Sequence, residues 1–463
     1  MLSGKVKGER LMAMNTWQKK DLQYIWHPCS QMKDYEDFPP IVIERGKGAY
    51  LYDIDGKSYL DAVSSWWVNL FGHSNERINR AISRQLEKLE HVIFANFSHQ
   101  AAIELAEEIV RITPPGLSKV FFADNGSSAV EAALKLSFHY HQQTGHPRKT
   151  RFAAITDAYH GETLGALSVG DLDLYSKIYQ PLLLNTFKAT GPDCYRCPYG
   201  KCRENCAAEC FESLEKIVLK HSEEICGIII EPLVQCAAGM KIYPSRYLQK
   251  LRKLCADYNI HFIADEIAVG FGRTGKMFAC EHAGVSPDIM CLSKGITGGY
   301  LPLSQVVVTD EIYQAFYADY KELKAFMHSH SYTGNALACA AACESLTIFK
   351  DEDVLAKNEI KAKMITDKVK RLADAHPHVG EYRHLGMIGA LELVEDKHTK
   401  KPFDWQQRVG YKIYRIALEK GVLLRPLGNV IYFMPPYVVE EEDIDLMVRV
   451  AFESINKYFE LND

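Results

Sequence analysis

The sequence predicts an α/β chain, with a large domain on a mainly parallel sheet and a smaller α+β domain. Three observations predict it. Between Glu76 and Phe349, short β-branched apolar runs alternate with helix-length amphipathic stretches. Beyond residue 350 that alternation stops, and a long charged helix, short strands and a closing helix from Glu440 follow. The 463 residues are 47% hydrophobic and 24% charged, enough apolar material for a sizeable core and more than one domain.

Residues 1–23 are basic and Ser-poor and lack an apolar h-region, so they read as neither a secretory signal nor a transit peptide. They are expected to form a mobile extension, with the fold starting near Tyr24. Residues 24–75 are expected to contribute to the small domain. Within them, residues 40–63 read as a β-meander around an Asp55-Gly56 turn. The large domain, 76–349, holds the pairs "SKVFFAD" with "SSAVEAALKLSFHYHQQTG", "RFAAIT" with "YHGETLGALSV", and "CGIIIEPLV" with "YPSRYLQKLRKLCADYN". "HFIADE", "DIMCLS" and "SQVVVT" come next. Such runs between helices imply a parallel sheet covered on both faces. Residues 350–463 form the C-terminal small domain, with "GMIGALELVED" and "VLLRPLGNVIYFMPP" as its strands.

A net charge of −5 gives no excess of Lys and Arg to point to nucleic acid or an anionic membrane. No stretch approaches the roughly 20 apolar residues of a membrane span. Thirteen cysteines without a signal imply free thiols and a reducing, cytoplasmic setting. Five crowd an insertion at 190–212: Cys194, Cys197, Cys202, Cys206 and Cys210. The opening C-x2-C invites a zinc reading, but the other spacings match no zinc module, and free surface thiols are the alternative.

In open α/β sheets ligands sit beyond the carboxyl ends of strands. Three stretches fall there. Asn125-Gly126-Ser127-Ser128 follows "VFFA" and opens a helix, which suits an anion cradle or plain helix capping. Asp265 follows "HFIA" and reads as a turn acid or as a buried carboxylate that keeps a heterocyclic nitrogen protonated. Lys294 follows "IMCLS" and reads as a loop lysine or as a Schiff-base former. Together, a phosphate cradle, an Asp and a Lys on neighbouring strand ends are what pyridoxal phosphate needs.

Gly270-Phe271-Gly272-Arg273-Thr274-Gly275 is a literal G-x-G-x-x-G, which raises a hydride-transferring enzyme as a rival class. A dinucleotide turn belongs to the first βα unit and opens a helix. Here the motif lies past mid-chain, before a short Gly- and Pro-broken helix, and Asp288 precedes a strand where the ribose-binding acid would end one. A metal or redox binding module built on the cysteines is a third class, and it leaves the rest of the chain unexplained.

At these residues the chain resembles the class III (ω-) aminotransferases of PLP fold type I. The resemblance runs nearly the whole length, through "GAYLYDIDGKSYLD", "DNGSSAVEAALKL", "YHGET", "IIEPLVQ", "IADEIAVGFGRTGKMFACEH", "PDIMCLSKGITGGYLPLS", "SYTGNALACAAA" and "LRPLGNVIYFMPP". It implies pyridoxal phosphate as cofactor, with Lys294 as Schiff-base lysine and Asp265 as pyridinium partner. It implies phosphate binding by Gly126 and Ser127, stacking of Tyr159 on the ring, and His160 beside it. A homodimer is implied, with active sites at the subunit interface and Ser331 reaching the neighbour's phosphate. His330 and Ser329 flank that position, as cofactor and substrate contacts. Trp66 would line the substrate pocket, Arg425 would hold a ketoacid carboxylate, and Arg273 would shape the site's edge.

"IWHPCSQM", "SSWWVNLFGH" and "FMHSHSYTGN" are most similar to the branch that aminates 8-amino-7-oxononanoate in biotin synthesis. Members using S-adenosylmethionine as donor tend to have Tyr after "WHP", and a lysine-using relative has an aromatic without hydroxyl. Cys29 matches neither, and Glu162 stands where many relatives have Asp. The donor therefore stays open between S-adenosylmethionine, lysine and others. The alternative activity is another ω-aminotransferase acting on amines or diamines with a 2-oxo acid.

Overall fold

The computed structural model describes residues 14–461. The expected mobile extension falls partly outside them, at residues 1–13. From Asn15 on, the expectation is corrected. Asn15 and Gln18 cap each other's backbone and start a helix at Thr16–Tyr24. The Gln18 amide then donates to the Pro40 carbonyl at 3.1 Å, tying the helix to the chain that follows.

The meander at 40–63 is present as β1 (Ile43–Lys47), β2 (Tyr50–Asp53) and β3 (Ser58–Asp61), paired antiparallel. Asp53 accepts the backbone N–H of Asp55 and Lys57 and shapes the turn.

Next along the chain are β4 (Leu117–Ala123), β5 (Arg151–Ile155), β6 (Phe187–Ala189) and β7 (Ile225–Ile230). A two-residue hairpin of β8 (Val234–Gln235) and β9 (Lys241–Ile242) precedes β10 (His261–Asp265), β11 (Ile289–Leu292) and β12 (Ser304–Thr309). Seven of these form one sheet in the order β4-β12-β11-β10-β7-β5-β6. Only β12 runs against the others, pairing antiparallel with β11 and β4. Strands β7, β10 and β11 are buried along their whole length, as a sheet covered on both faces requires. The helix Gly126–Gln143 covers one face, with nine buried residues from Ala129 to His141.

The C-terminal part begins with the long helix Val354–Ala375. It continues through β13 (Val379–Leu385), β14 (Ile388–Asp396), β15 (Lys401–Pro402), β16 (Val422–Leu423) and β17 (Val430–Phe433), and closes with the helix Glu441–Glu460. β16 pairs in parallel with β3, so the N-terminal meander and this region share one sheet. Among the described residues no helix is long and apolar enough to cross a membrane.

Candidate active site

Asp265 is the last residue of β10, opposite Cys291 of β11, and Lys294 stands two residues beyond the end of β11. The sheet register thus brings acid and lysine together on adjacent strand ends. The anion cradle is less close than expected, because β12 intervenes between β11 and β4. It still faces the same cavity, of about 440 Å³. Trp67, Asn125, Gly126, Ser127, Tyr159, His160, Glu231, Asp265 and Lys294 line it, with the 299–303 loop closing one side.

Both readings of the Asn-Gly-Ser-Ser stretch hold. Asn125 caps the helix by accepting the Ser128 N–H at 3.1 Å. Gly126 and Ser127, the first residues of that helix, present its N-terminus to the cavity. The neighbouring loop needs glycine. Gly161 has φ +122°, and a Cβ there would fall on the Ser127 hydroxyl.

Asp265 is 4% exposed. One carboxylate oxygen accepts the Ile267 N–H at 3.1 Å, and the other meets His160 Nδ1 at 2.7 Å. His160 Nε2 is buried without a partner, so the ring has a polar edge to spare. Burial holds Lys294 below the ordinary lysine value, partly offset by Asp265. Its ammonium lies 5.3 Å from the centre of the Trp67 ring.

Sequence reasoning missed three residues here. Glu231 follows β7 directly, across from Asp265. It is 5% exposed, and burial, then Asp265, pushes its carboxyl up to about 8. Trp67, the neighbour of the expected Trp66, is buried and lines the cavity, where its indole N–H donates to Tyr432 at 3.0 Å. Glu266, next to Asp265, accepts the N–H groups of Ala279 and Cys280 at 2.9 and 2.8 Å. It closes the loop that carries the glycine motif.

That closure explains the motif. Gly272 and Gly275 take φ +87° and +94°, and a Cβ on Gly275 would contact the Gly386 Cα at 3.7 Å. The glycines let the loop fold back against the turn between β13 and β14. Arg273 is corrected accordingly. It is 1% exposed and absent from the cavity lining, because its guanidinium donates to the carbonyls of Trp67, Asn69 and Pro435. Its role is to hold the backbone behind Trp67.

That backbone is unusual. Ser64, Ser65, Trp66 and Trp67 have φ between 46° and 74°, a turn of left-handed helix. Asp61, fully buried, accepts the Ser65 N–H at 2.9 Å and its hydroxyl at 2.7 Å, and meets His73 Nε2 at 3.0 Å. The turn sends Trp67 inward and Trp66 outward.

Trp66 is 41% exposed and lies under the Arg425 guanidinium at 4.9 Å. Arg425 also reaches the Cys29 carbonyl at 3.4 Å. The Tyr159 hydroxyl donates to Glu162 at 2.9 Å, and the Cys29 thiol faces the same carboxylate at 3.9 Å. Cys29, Trp66, Glu162 and Arg425 thus form a mouth outside Tyr159. Ser329, His330 and Ser331 are not brought to the cavity of their own chain. Ser329 and Ser331 are exposed, and the Ser331 carbonyl meets His91.

The cysteine insertion carries free thiols. Burial, then neighbouring thiols, pushes Cys194 up to about 12 and Cys210 up to about 11. Among the described residues no three His, Cys, Asp or Glu side chains converge as a metal would require.

The family profile described as Aminotransferase class-III matches residues 31–455. An adenosylmethionine-8-amino-7-oxononanoate aminotransferase of Geobacter sulfurreducens is 47% identical, over 94% of this chain and 96% of its own. The protein of that name from Helicobacter pylori is 46% identical, over 94% and 97%. The solved structure of the Methanocaldococcus jannaschii protein of that name superimposes with a TM-score of 0.90, at 40% identity, over 95% and 98% of the two chains. An omega transaminase from Pseudomonas jessenii, in complex with PMP, gives 0.92 at 31% identity, over 96% and 99%.

Proposed function

The chain belongs to the class-III aminotransferases, and from that premise we propose that it aminates 8-amino-7-oxononanoate to 7,8-diaminononanoate, a step of biotin synthesis, using pyridoxal phosphate. One observation carries the chemistry. Lys294 and Asp265 stand on adjacent strand ends in a cavity whose far wall is a helix N-terminus. The names of the relatives at 46–47% identity support the substrate.

The residues fit the cofactor. Gly126 and Ser127 offer amides and a hydroxyl for a phosphate, and the unpartnered His160 Nε2 and the Tyr159 ring border the space between. Asp265 would keep the pyridine nitrogen protonated, with His160 fixing the carboxylate's orientation. Bound there, the cofactor supplies the electron sink for the donor's Cα carbanion. Lys294, its pKa lowered by burial, would carry the aldehyde and move the proton at Cα. Trp67 and the 299–303 loop would wall the cavity beside that proton's path. Arg425, over Trp66 at the mouth, would hold the acceptor's carboxylate.

S-adenosylmethionine is the donor we assign, and the Glu162 carboxylate at the mouth suits its cationic sulfonium. Ser329, His330 and Ser331 would complete the neighbour's site in a homodimer. Leu323, Met327 and Tyr332, each at least 65% exposed around them, support a subunit contact there. The free thiols support a cytoplasmic setting.

Single-turnover transfer from a panel of donors to 8-amino-7-oxononanoate tests the reading. We expect product with S-adenosylmethionine and, for Lys294→Ala, loss of both the cofactor's visible absorbance and turnover. A Lys294→Ala protein that kept both would remove the assignment of the lysine. Failure with this ketone alongside activity on diamines and 2-oxo acids would move the enzyme to another ω-aminotransferase activity. Product with lysine but not S-adenosylmethionine would reassign the donor alone.

A further inference from the structure

Glu231 is not used by the chemistry above, yet it is a buried acid of the cavity wall, 5% exposed. Its carboxyl bridges two loops. One oxygen accepts the Tyr159 N–H at 3.0 Å, and the other accepts the Cys236 N–H at 3.0 Å. Tyr159 and His160 come from the loop after β5, on one side of β7, and Asp265 ends β10, on the other side. Glu231 stands between them, just beyond the end of β7. We propose that Glu231 is a positioning residue, which pins the Tyr159–His160 loop at the spacing from Asp265 that the cofactor ring requires. This rests on the reading that Lys294 and Asp265 hold that ring.

The charge pattern agrees. The titratable groups around Glu231 are Asp265, Lys294, Cys236 and Tyr243, whose hydroxyl donates to the Glu231 carbonyl at 2.6 Å. With Glu231 protonated around neutral pH, its two backbone bonds persist without a second buried negative charge beside Asp265. Asp265 would then be the carboxylate that partners the pyridine nitrogen. Burial pushes the Cys236 thiol well above its ordinary value, so it adds no charge either.

Binding of pyridoxal phosphate, and the pH midpoint of the bound cofactor's visible absorbance, measured on the whole chain, test this. Glu231→Ala leaves the Tyr159 N–H without its buried acceptor, and roughly ten- to a hundredfold weaker binding is expected from one such lost partner. The midpoint should rise as water enters beside Lys294. Glu231→Gln keeps an acceptor for one of the two N–H groups and should fall between wild type and alanine in both measurements. A midpoint unchanged in Glu231→Ala overturns the proposal, whatever the affinity does, because lost packing alone would lower affinity and leave the midpoint in place. If the alanine protein does not fold, a glutamine protein with wild-type affinity and midpoint overturns it instead. Wild-type protein that binds no pyridoxal phosphate would overturn the underlying reading of Lys294 and Asp265, a distinguishable result.

Discussion

Replacing Asp61 with alanine should destabilise the fold by about 3–5 kcal/mol, the usual cost of removing one partner from a buried charged contact. It should also move Trp67. The magnitude follows from the left-handed turn. Each non-glycine residue from Ser64 to Trp67 costs about 1–2 kcal/mol in that conformation, so the turn stores about 4–8 kcal/mol. Asp61 offsets part of this through the Ser65 N–H and hydroxyl and fixes His73 on its other side. A buried bond to a charged group is worth about 1.5–3 kcal/mol. The alanine protein would lose these, while the Ser64 hydroxyl, which donates to the Met434 carbonyl at 2.7 Å, still holds the first residue and Arg273 holds the far end. The turn is then expected to relax from its Asp61 side, carrying Trp67 away from Lys294. Urea unfolding gives the stability, and titration with pyridoxal phosphate gives the site's integrity. A companion, Ser65→Gly, should be near neutral in stability, because glycine relieves φ 46° while the hydroxyl bond is lost. Asp61→Ala within about 1 kcal/mol of wild type, with unchanged cofactor affinity, would refute the reasoning.

Further consequences can be checked on the same footing. Gly161→Ala should lower cofactor affinity more than stability, because the new methyl displaces the Ser127 hydroxyl from the phosphate cradle; equal affinity would count against Ser127 as a ligand. Gly386→Ala should destabilise strongly, since its Cβ would strike the backbone of Thr274 and Gly275 at φ +57°, and calorimetry would show a lowered transition. The stability of the cofactor-free protein should be greatest between about pH 4.5 and 6.5. Glu231 and Glu266 have folded values raised to about 8 and about 7, so their contribution is full below 4.5 and is lost as pH rises through 7 and 8. His141, lowered to about 4, and His261, lowered well below its ordinary value, contribute fully above 6.5 and lose that as pH falls. Between 4.5 and 6.5 the two trends oppose each other. Urea midpoints that rose steadily from pH 6.5 to 9 would contradict the two buried acids.

What could be read from the sequence and what could not divide along a physical line. Asp265 and Lys294 were legible because each follows an apolar run that can only be a buried strand, and a strand's carboxyl end fixes where its next residues go. The cradle was legible for the same reason, with helix-opening residues after a strand. Glu231 has the same local signature, an acid after "GIII". Its meaning depends on β7 lying beside β10 and on the Tyr159 loop folding over it, contacts that are 34 to 72 residues distant in sequence. Trp66 and Trp67 differ by one position, and which one faces inward is decided by a left-handed turn that no propensity predicts for Ser-Ser-Trp-Trp. Arg273 was set at the site's edge by the resemblance, and no local pattern in the glycine motif shows which way its side chain turns. The motif's conformation is set by its neighbour Glu266, which draws residues 279 and 280 back and turns the arginine inward. Adjacent acids thus divide the work: Asp265 faces the cavity, and Glu266 builds the loop that secures the backbone behind Trp67. Local pattern found residues that line the cavity, whereas the residues that hold those in place became visible only once the strands were in register.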